Sequence, residues 1–95
     1  MTAGPDTDVD TRGGPWFIYI VECRDGSLYT GITNDLDRRV REHNEGSAAR
    51  YTRSRRPVTL RYREQVASRS EALIRECALK LLTRKEKDRL IQHGR

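Results

Sequence analysis

The sequence predicts an α+β fold, a three-stranded antiparallel β-sheet flanked by about three helices. An almost wholly apolar run, residues 16–23, precedes an Asp-Gly turn and a second strand-like segment. Apolar and polar residues alternate in 58–66, which is typical of a strand with one wet face. Two helical segments follow, each opened by a capping-box pattern. At 95 residues, the chain has room for one compact domain.

The elements follow in order along the chain. Residues 1–15 are polar and lack periodicity, so we predict a flexible N-terminal tail before a domain that spans 16–95. The run 16–23 is apolar on both faces and predicts the central strand. Segment 34–46 predicts a surface helix with a narrow apolar stripe, and 47–57 predicts a loop with or without one helical turn. The proposed helix has Asn34 as its N-cap, Gly46 past its end, and Leu36 and Val40 as its stripe.

The later elements carry the clearer periodicity. The third strand is predicted to present Val58, Leu60, Tyr62 and Val66 on one face. The next helix opens with Ser68 and Glu71, and a last short helix opens with Thr83 and Glu86. The only cysteines, Cys23 and Cys77, form no CxxC pair and are predicted to be small buried residues. The core-facing stripe predicted for helix 68–82 consists of Leu73, Ile74, Cys77, Ala78 and Leu81.

Tyr19 and Tyr29 flank the Asp-Gly turn, and the loop length decides which faces they occupy. A two-residue loop would place the two rings on opposite faces of the sheet. A three-residue loop, with Gly26 in the left-handed conformation, would pair Tyr19 with Gly31 and place both tyrosines on one face. The residues alone leave both registers open.

Positive charge dominates the predicted domain. The net charge is +5, of which the first fifteen residues contribute −2 and the rest +7. Arginine outnumbers lysine sixteen to three, and the guanidinium fork suits bidentate recognition of phosphate. We therefore expect a nucleic-acid partner. The predicted contacts are the arginines of one basic stretch and the aromatic residue among them: Arg50, Tyr51, Arg53, Arg55, Arg56, Arg61 and Arg63.

The same composition sets expectations about location and assembly. No apolar run approaches the roughly 20 residues that span a bilayer. The N-terminal residues show no pattern of a secretory signal. We expect a cytoplasmic monomer without a membrane partner.

The order and spacing of several short motifs resemble the GIY-YIG nuclease superfamily. The triplets FIY (17–19) and YTG (29–31) correspond to the two motifs of its name, although Phe17 and Thr30 depart from them. Arg39 follows eight residues after the glycine of the second triplet, and Glu76 lies on a later helix. The resemblance spans roughly residues 16–92. It is greatest to small stand-alone bacterial members, which carry DGSLYTGIT and ARYTR.

The resemblance implies the same fold and a nuclease that cuts phosphodiester bonds, expected in DNA during repair or processing, with one Mg²⁺ or Mn²⁺ ion. It also implies that both tyrosines lie on one face, which favours the three-residue loop. By their positions, Tyr19 and Tyr29 would hold the attacking water, one of them as the base. Arg39 would clamp the phosphate, His43 would relay the proton, and Glu76 would bind the metal.

Without the resemblance, simpler roles remain open for these residues. Arg39 and His43 would be solvated surface side chains, and Glu76 would pair with Lys80 four residues on. A non-catalytic nucleic-acid-binding module or accessory subunit is the alternative function, since the lysine that many members carry after the second triplet is absent. A scaffold for a protein partner is a third, but it would need an exposed apolar stripe, and none is expected.

Overall fold

The computed structural model describes residues 14–94, which form a three-stranded antiparallel sheet and four helices. The predicted α+β fold is confirmed, and the strand order β2-β1-β3 places the apolar first strand in the centre. Residues 1–13 of the predicted tail lie outside the described residues. The elements are β1 (Trp16–Glu22), β2 (Leu28–Thr33), α1 (Leu36–Glu45), the short α2 (Arg50–Arg53), β3 (Thr59–Val66), α3 (Arg69–Lys80) and α4 (Arg84–His93).

The β1–β2 hairpin has the three-residue loop. Gly26 has a φ of +87°, in the left-handed region that glycine enters without steric cost. The register pairs Tyr19 with Gly31 and Val21 with Tyr29. Because directly paired residues share a face, both tyrosines point to the same side of the sheet.

Two apolar clusters cover the two faces of the sheet. On the tyrosine side, α1 packs over the sheet, and on the other side α3 and α4 do so. The buried members on the tyrosine side are Tyr19, Val21, Cys23, Leu36 and Val58. Those on the opposite side are Trp16, Ile18, Ile20, Tyr62, Ala72 and Leu79.

A β-bulge in β3 divides the apolar residues of that strand between the two faces. Neighbouring residues of β1 pair with Leu60 and Tyr62, so Arg61 is an extra residue between them. Leu60 and Val58 therefore pack on the tyrosine side, whereas Tyr62 and Val66 pack on the opposite side. The prediction that these four residues share one face is wrong, because strict alternation holds only in an unbroken register.

Helix α1 begins one residue later than the sequence analysis proposed. The N-cap is Asp35, whose carboxylate accepts from the backbone N–H of Arg38 at 3.1 Å. Asn34 is not the cap; its side chain instead accepts from the Arg38 guanidinium at 3.3 Å. Gly46 ends the helix with a φ of +90°, as predicted.

The side of helix α3 that faces the core is opposite to the side that was predicted to face it. Ala72 and Leu79, seven residues apart on one helix side, are 0% and 1% exposed. Ile74 is 72% exposed and Leu81 is 85% exposed. The predicted core stripe is therefore wrong for all of its members, Leu73, Ile74, Cys77, Ala78 and Leu81, which are exposed. The expectation that Cys77 is buried fails with it, whereas Cys23 is buried.

Close packing and one ion pair hold α3 in this rotation. Ala72 has a side chain small enough for the helix axis to approach the sheet. Arg75 Nε donates to Glu64 Oε2 of β3 at 2.7 Å, and the Tyr62 hydroxyl donates to Glu64 Oε1 at 2.7 Å. This network explains why an acidic residue interrupts the alternation of β3.

The two predicted capping boxes differ in completeness. Thr83 and Glu86 form both reciprocal hydrogen bonds at the start of α4. Ser68 accepts from the backbone N–H of Glu71 at 3.2 Å, but the Glu71 carboxylate accepts from Ala67 rather than from Ser68. Within residues 14–94, no helix has both the length and the apolar character that crossing a bilayer requires.

Candidate active site

Gly31 creates the space in which the Tyr19 ring lies. A Cβ at this glycine would lie 2.5 Å from the Tyr19 hydroxyl oxygen and 2.7 Å from its Cζ. No real Cβ occupies such a position, so any side chain here would displace the ring. The Tyr19 ring is only 2% exposed, so the hairpin register and this glycine together fix where its hydroxyl points.

A chain of buried polar groups begins at that hydroxyl. Tyr19 Oη lies 2.7 Å from His43 Nε2, and His43 Nδ1 lies 2.8 Å from Thr52 Oγ1. Thr52 Oγ1 in turn donates to the carbonyl oxygen of Ala49 at 3.3 Å. His43 is 1% exposed and Thr52 is 0% exposed. The expected solvated histidine is therefore excluded, since α1 places this ring against the sheet and under α2.

Burial sets the ionisation of both rings. Burial raises the pKa of Tyr19 above its ordinary value, and the neighbouring Tyr29 adds to this effect. Arg39 opposes the increase, while Glu76 and Glu42 reinforce it. Burial lowers the pKa of His43, as does the charge of Arg39. Near neutral pH the pair is therefore a protonated phenol beside a neutral imidazole, which has one free acceptor nitrogen.

Tyr29 lies beside the same histidine and is more exposed than Tyr19. Its ring centroid is 5.4 Å from that of His43, in an edge-on arrangement. On its other side, Tyr51 stacks on it at 5.9 Å with 19° between the planes. The Arg55 guanidinium covers the Tyr51 ring at 3.9 Å. The column formed by Arg55, Tyr51 and Tyr29 thus joins the basic stretch to the tyrosine pair.

Arg39 lies one helical turn before His43 on α1. One guanidinium nitrogen, Nη1, lies 3.2 Å from Glu42 Oε1, and the side chain is 32% exposed. Its Nε is buried and has no hydrogen-bond partner among residues 14–94. A buried N–H donor without a partner is costly, so this group has donor capacity that an oxyanion would satisfy.

Glu76 lies on the inner border of α3, close enough to the Tyr19 hydroxyl to raise its pKa. Its side chain is 17% exposed, and Oε2 lies 3.3 Å from Lys80 Nζ. The ion pair that the simpler interpretation expects is therefore present, and its partner Lys80 lines the cavity beside Tyr29 and Tyr51.

The donor set fits one kind of metal site only. Within the described residues, no three His, Cys, Asp or Glu side chains lie close enough together to hold an ion by themselves. A lone carboxylate suits Mg²⁺ or Mn²⁺, which keep several waters and take further oxygens from substrate phosphate. Glu76 therefore fits an ion that arrives with nucleic acid, and it does not fit a permanently bound structural ion.

The basic residues predicted to contact nucleic acid do not form one track. Arg61 lies 3.5 Å from Glu22 Oε1 and lines a cavity with Arg84 and Asp88, away from the tyrosines. Arg63 pairs with Tyr19 in the sheet and is exposed on the tyrosine side.

The remaining members of the predicted set lie in or beside α2. Arg50, Tyr51 and Arg53 belong to α2 itself and are exposed. Arg55 pairs with Asp25 at 3.1 Å, and Arg56 donates to the carbonyl oxygen of Arg53 at 2.8 Å. Of the predicted nucleic-acid contacts, those in or beside α2 and Arg63 therefore lie on the tyrosine side of the sheet, whereas Arg61 does not.

The structure adds residues that the sequence analysis missed. An open cavity of about 300 Å³ lies beside Tyr29 and Tyr51, and its other walls include Lys80 and Lys87. Because both lysines are distant in sequence from the arginine-rich stretch, no sequence pattern predicted that they lie beside these tyrosines. Thr52 was missed as well, since one threonine inside a basic loop has no distinguishing pattern.

Known proteins share the sequence pattern of this chain over most of its length. The model of the GIY-YIG catalytic domain matches residues 15–89. A UPF0213 protein of Staphylococcus epidermidis is 53% identical over 78 residues, which cover 82% of this chain and 95% of that protein. A UPF0213 protein of Desulfotalea psychrophila is 53% identical over 89 residues, covering 93% of this chain and 77% of the relative.

Solved structures of similar proteins show the same architecture. The solution structure of a UPF0213 protein from Bacillus halodurans matches with 42% identity and a TM-score of 0.54, covering 82% of this chain and 83% of that one. A solution structure from E. faecalis matches with 41% identity and a TM-score of 0.57, over the same shares of both chains. With a family model matched across most of its length and relatives more than half identical, this chain belongs to the GIY-YIG catalytic-domain family, among the small UPF0213 proteins.

Proposed function

We propose that the chain is an endonuclease that uses a divalent metal ion to hydrolyse phosphodiester bonds, acts on DNA in the cytoplasm, and serves repair or processing. The observation that carries this proposal is the buried Tyr19–His43 hydrogen bond of 2.7 Å, with Tyr29, Arg39 and Glu76 around it. Hydrolysis of a phosphodiester needs an activated water, a clamp for the phosphate charge and help for the leaving oxygen. The site supplies a candidate for each task.

Tyr19 and His43 are assigned to the activation of water. Because burial raises the pKa of Tyr19, a free phenolate is an unfavourable intermediate at this site. The phenol oxygen therefore takes a proton from water as its own proton passes to His43 Nε2, so that no phenolate accumulates. Tyr29, which is more exposed than Tyr19, orients the water.

Arg39 and Glu76 are assigned to the phosphate. The unpartnered Nε of Arg39 donates to a non-bridging oxygen, and its positive charge stabilises the developing dianion. Glu76 holds the divalent ion, which when bound neutralises charge on the phosphate and on the leaving oxygen. The positively charged walls beside Tyr29 attract the nucleic-acid backbone.

A cleavage panel tests this proposal. The wild type is incubated with single-stranded, duplex, flapped and branched DNA, and with RNA, in Mg²⁺, in Mn²⁺ and in EDTA. We expect DNA cleavage that needs the ion and falls at least about 100-fold in Glu76→Gln and in Arg39→Ala. A folded wild type that cuts none of these substrates with either ion would overturn the proposal. Binding that weakens with salt but never leads to cleavage would instead support the non-catalytic module.

Matched controls separate lost chemistry from lost ion pairs. Asp88→Asn removes an i,i+4 pair with Arg84 of 3.0 Å, which resembles the Glu76–Lys80 pair, and we expect normal cleavage from it. Arg38→Ala removes a 3.7 Å partner of Glu42 and serves as the control for Arg39→Ala. Equal loss of activity in a control and its test variant would contradict the assigned roles.

A further inference from the structure

Thr52 is the most deeply buried side chain of the arginine-rich segment, and it faces His43 rather than solvent. It is 0% exposed although its neighbour Tyr51 is 38% exposed. The short helix α2 turns Thr52 inward, and Oγ1 lies 2.8 Å from His43 Nδ1. A threonine in this position can control which ring nitrogen of the histidine carries the proton.

The hydrogen bonds of Thr52, His43 and Tyr19 favour one placement of their protons. A threonine hydroxyl has a single proton, and the carbonyl oxygen of Ala49 lies 3.3 Å from Oγ1 as its acceptor. If the hydroxyl donates there, His43 Nδ1 must carry a proton and donate to Thr52. Nε2 then has a free lone pair and accepts from the Tyr19 hydroxyl at 2.7 Å.

The opposite arrangement leaves a proton without an acceptor. If Thr52 donated to Nδ1, then Nε2 would carry the proton and donate to the Tyr19 oxygen. The Tyr19 hydroxyl would then need a second acceptor, and the only hydrogen bond found for it within residues 14–94 is the one to His43. Among the protein groups of residues 14–94, only the first arrangement gives both hydroxyls and both ring nitrogens a partner, so the protein contacts favour it.

We propose that Thr52 is a positioning residue that holds His43 in the Nδ1–H tautomer, so that Nε2 can accept the proton of Tyr19. The kinetic part of this proposal rests on the proposed nuclease function, and the structural part does not. The arginine-rich segment would thus have two roles. Its exposed arginines would contact nucleic acid, and the buried hydroxyl of Thr52 would orient His43.

Two-dimensional ¹⁵N NMR of the histidine side chains tests the structural part without any substrate. The chain has only two histidines, and a His93→Gln background leaves His43 as the single imidazole. We expect the Nδ1–H tautomer at pH 7.5 in this background and also when Thr52→Ser is added. Thr52→Val has a similar shape but cannot accept a hydrogen bond, so the tautomer should shift toward Nε2–H. An Nε2–H tautomer in the His93→Gln background, or no shift in Thr52→Val, would overturn the proposal.

Kinetics on a cleaved substrate tests the functional part. We expect Thr52→Val to lower kcat by about 10–100-fold with little change in KM, and Thr52→Ser to restore most of it. Unchanged kcat in a folded Thr52→Val would overturn the role in catalysis. If Thr52→Val does not fold, the tautomer in the two other proteins still decides the proposal. If the wild type cuts nothing but shows the Nδ1–H tautomer, the proposed nuclease function fails and the structural role of Thr52 stands.

Discussion

Helices α1 and α3 pack on opposite faces of the sheet, and each departs from simple hydropathy in the opposite direction. On α1 a histidine is 1% exposed, whereas on α3 Leu81 is 85% exposed. The buried histidine has a hydrogen-bond partner on each ring nitrogen, so its burial is compensated. The exposed leucine needs no compensating contact. An apolar side chain in water only forgoes the favourable free energy that its burial would have contributed.

The difference shows which departures indicate a function. A buried polar chain such as Tyr19–His43–Thr52 is stable only when every member is paired, so its presence points to a site that the fold maintains. The outer face of α3 is an exposed apolar stripe, which the sequence analysis did not expect.

The largest expected effect compares the two sides of α3. Leu79→Ala removes a side chain that is 1% exposed, and it should lower the free energy of unfolding by about 2–5 kcal/mol. Leu81→Ala removes the same atoms at a position that is 85% exposed and should change it by less than about 0.5 kcal/mol. Urea unfolding followed by circular dichroism measures both. Equal losses would mean that the outer face of α3 is covered in solution.

The next effect concerns the glycine under the Tyr19 ring. Gly31→Ala should lower the free energy of unfolding by about 1–3 kcal/mol, because the new methyl overlaps the phenol. It should also abolish cleavage, since the displaced hydroxyl no longer reaches His43. Adding Tyr19→Leu should recover stability but not activity in a double-mutant cycle. Strictly additive stability losses would show that the two side chains do not compete for this space.

A smaller effect separates the two candidate caps of α1. Asp35→Ala should cost about 1 kcal/mol of unfolding free energy, because its carboxylate caps the Arg38 N–H. Asn34→Ala loses only an exposed contact to a guanidinium and should cost clearly less. Thermal unfolding of both variants makes this comparison. The reverse order would place the start of the helix at Asn34.

The smallest effect is the pH dependence contributed by His43. Because its pKa is lowered in the folded state, the unfolded chain binds more protons below the ordinary histidine value of about 6.5. The stability that the neutral ring contributes is complete above that pH and decreases as the pH falls toward the folded-state pKa. Urea unfolding between pH 7.5 and pH 5 should show a flatter curve for His43→Gln than for wild type. His93→Gln, which changes an exposed histidine, should follow the wild type.

Particular residues show how far the sequence could go. The apolar run of β1, the alternation in β3 and the turn residues predicted the sheet, and Gly46, Thr83 and Glu86 predicted helix ends that the structure confirms. Local signals failed where two candidates stood side by side. Asn34 and Asp35 are both good caps, and α3 has apolar residues on both of its sides, so periodicity alone could not select the buried side.

The candidate site divides in the same way. The resemblance predicted Tyr19, Tyr29, Arg39, His43 and Glu76, and their catalytic roles stay predictions. The structure packs Tyr19 and Tyr29 against His43, whereas Glu76 pairs with Lys80, which lines the cavity beside Tyr29. Placing Arg61 with the other arginines failed, because a single bulge in β3 moves that residue away from the tyrosines. Thr52 and the lysines beside Tyr29 could not be predicted, since their contacts are made across the fold.

The sequence by itself determined the fold class, the hairpin, most helix ends and the basic character, because these depend on periodicity, turn chemistry and charge within a few residues. Only the tertiary structure decided the hairpin register, the rotation of α3 and the partners of His43. Each of these depends on whether side chains from distant segments fit together without overlap and leave no buried polar group unpaired.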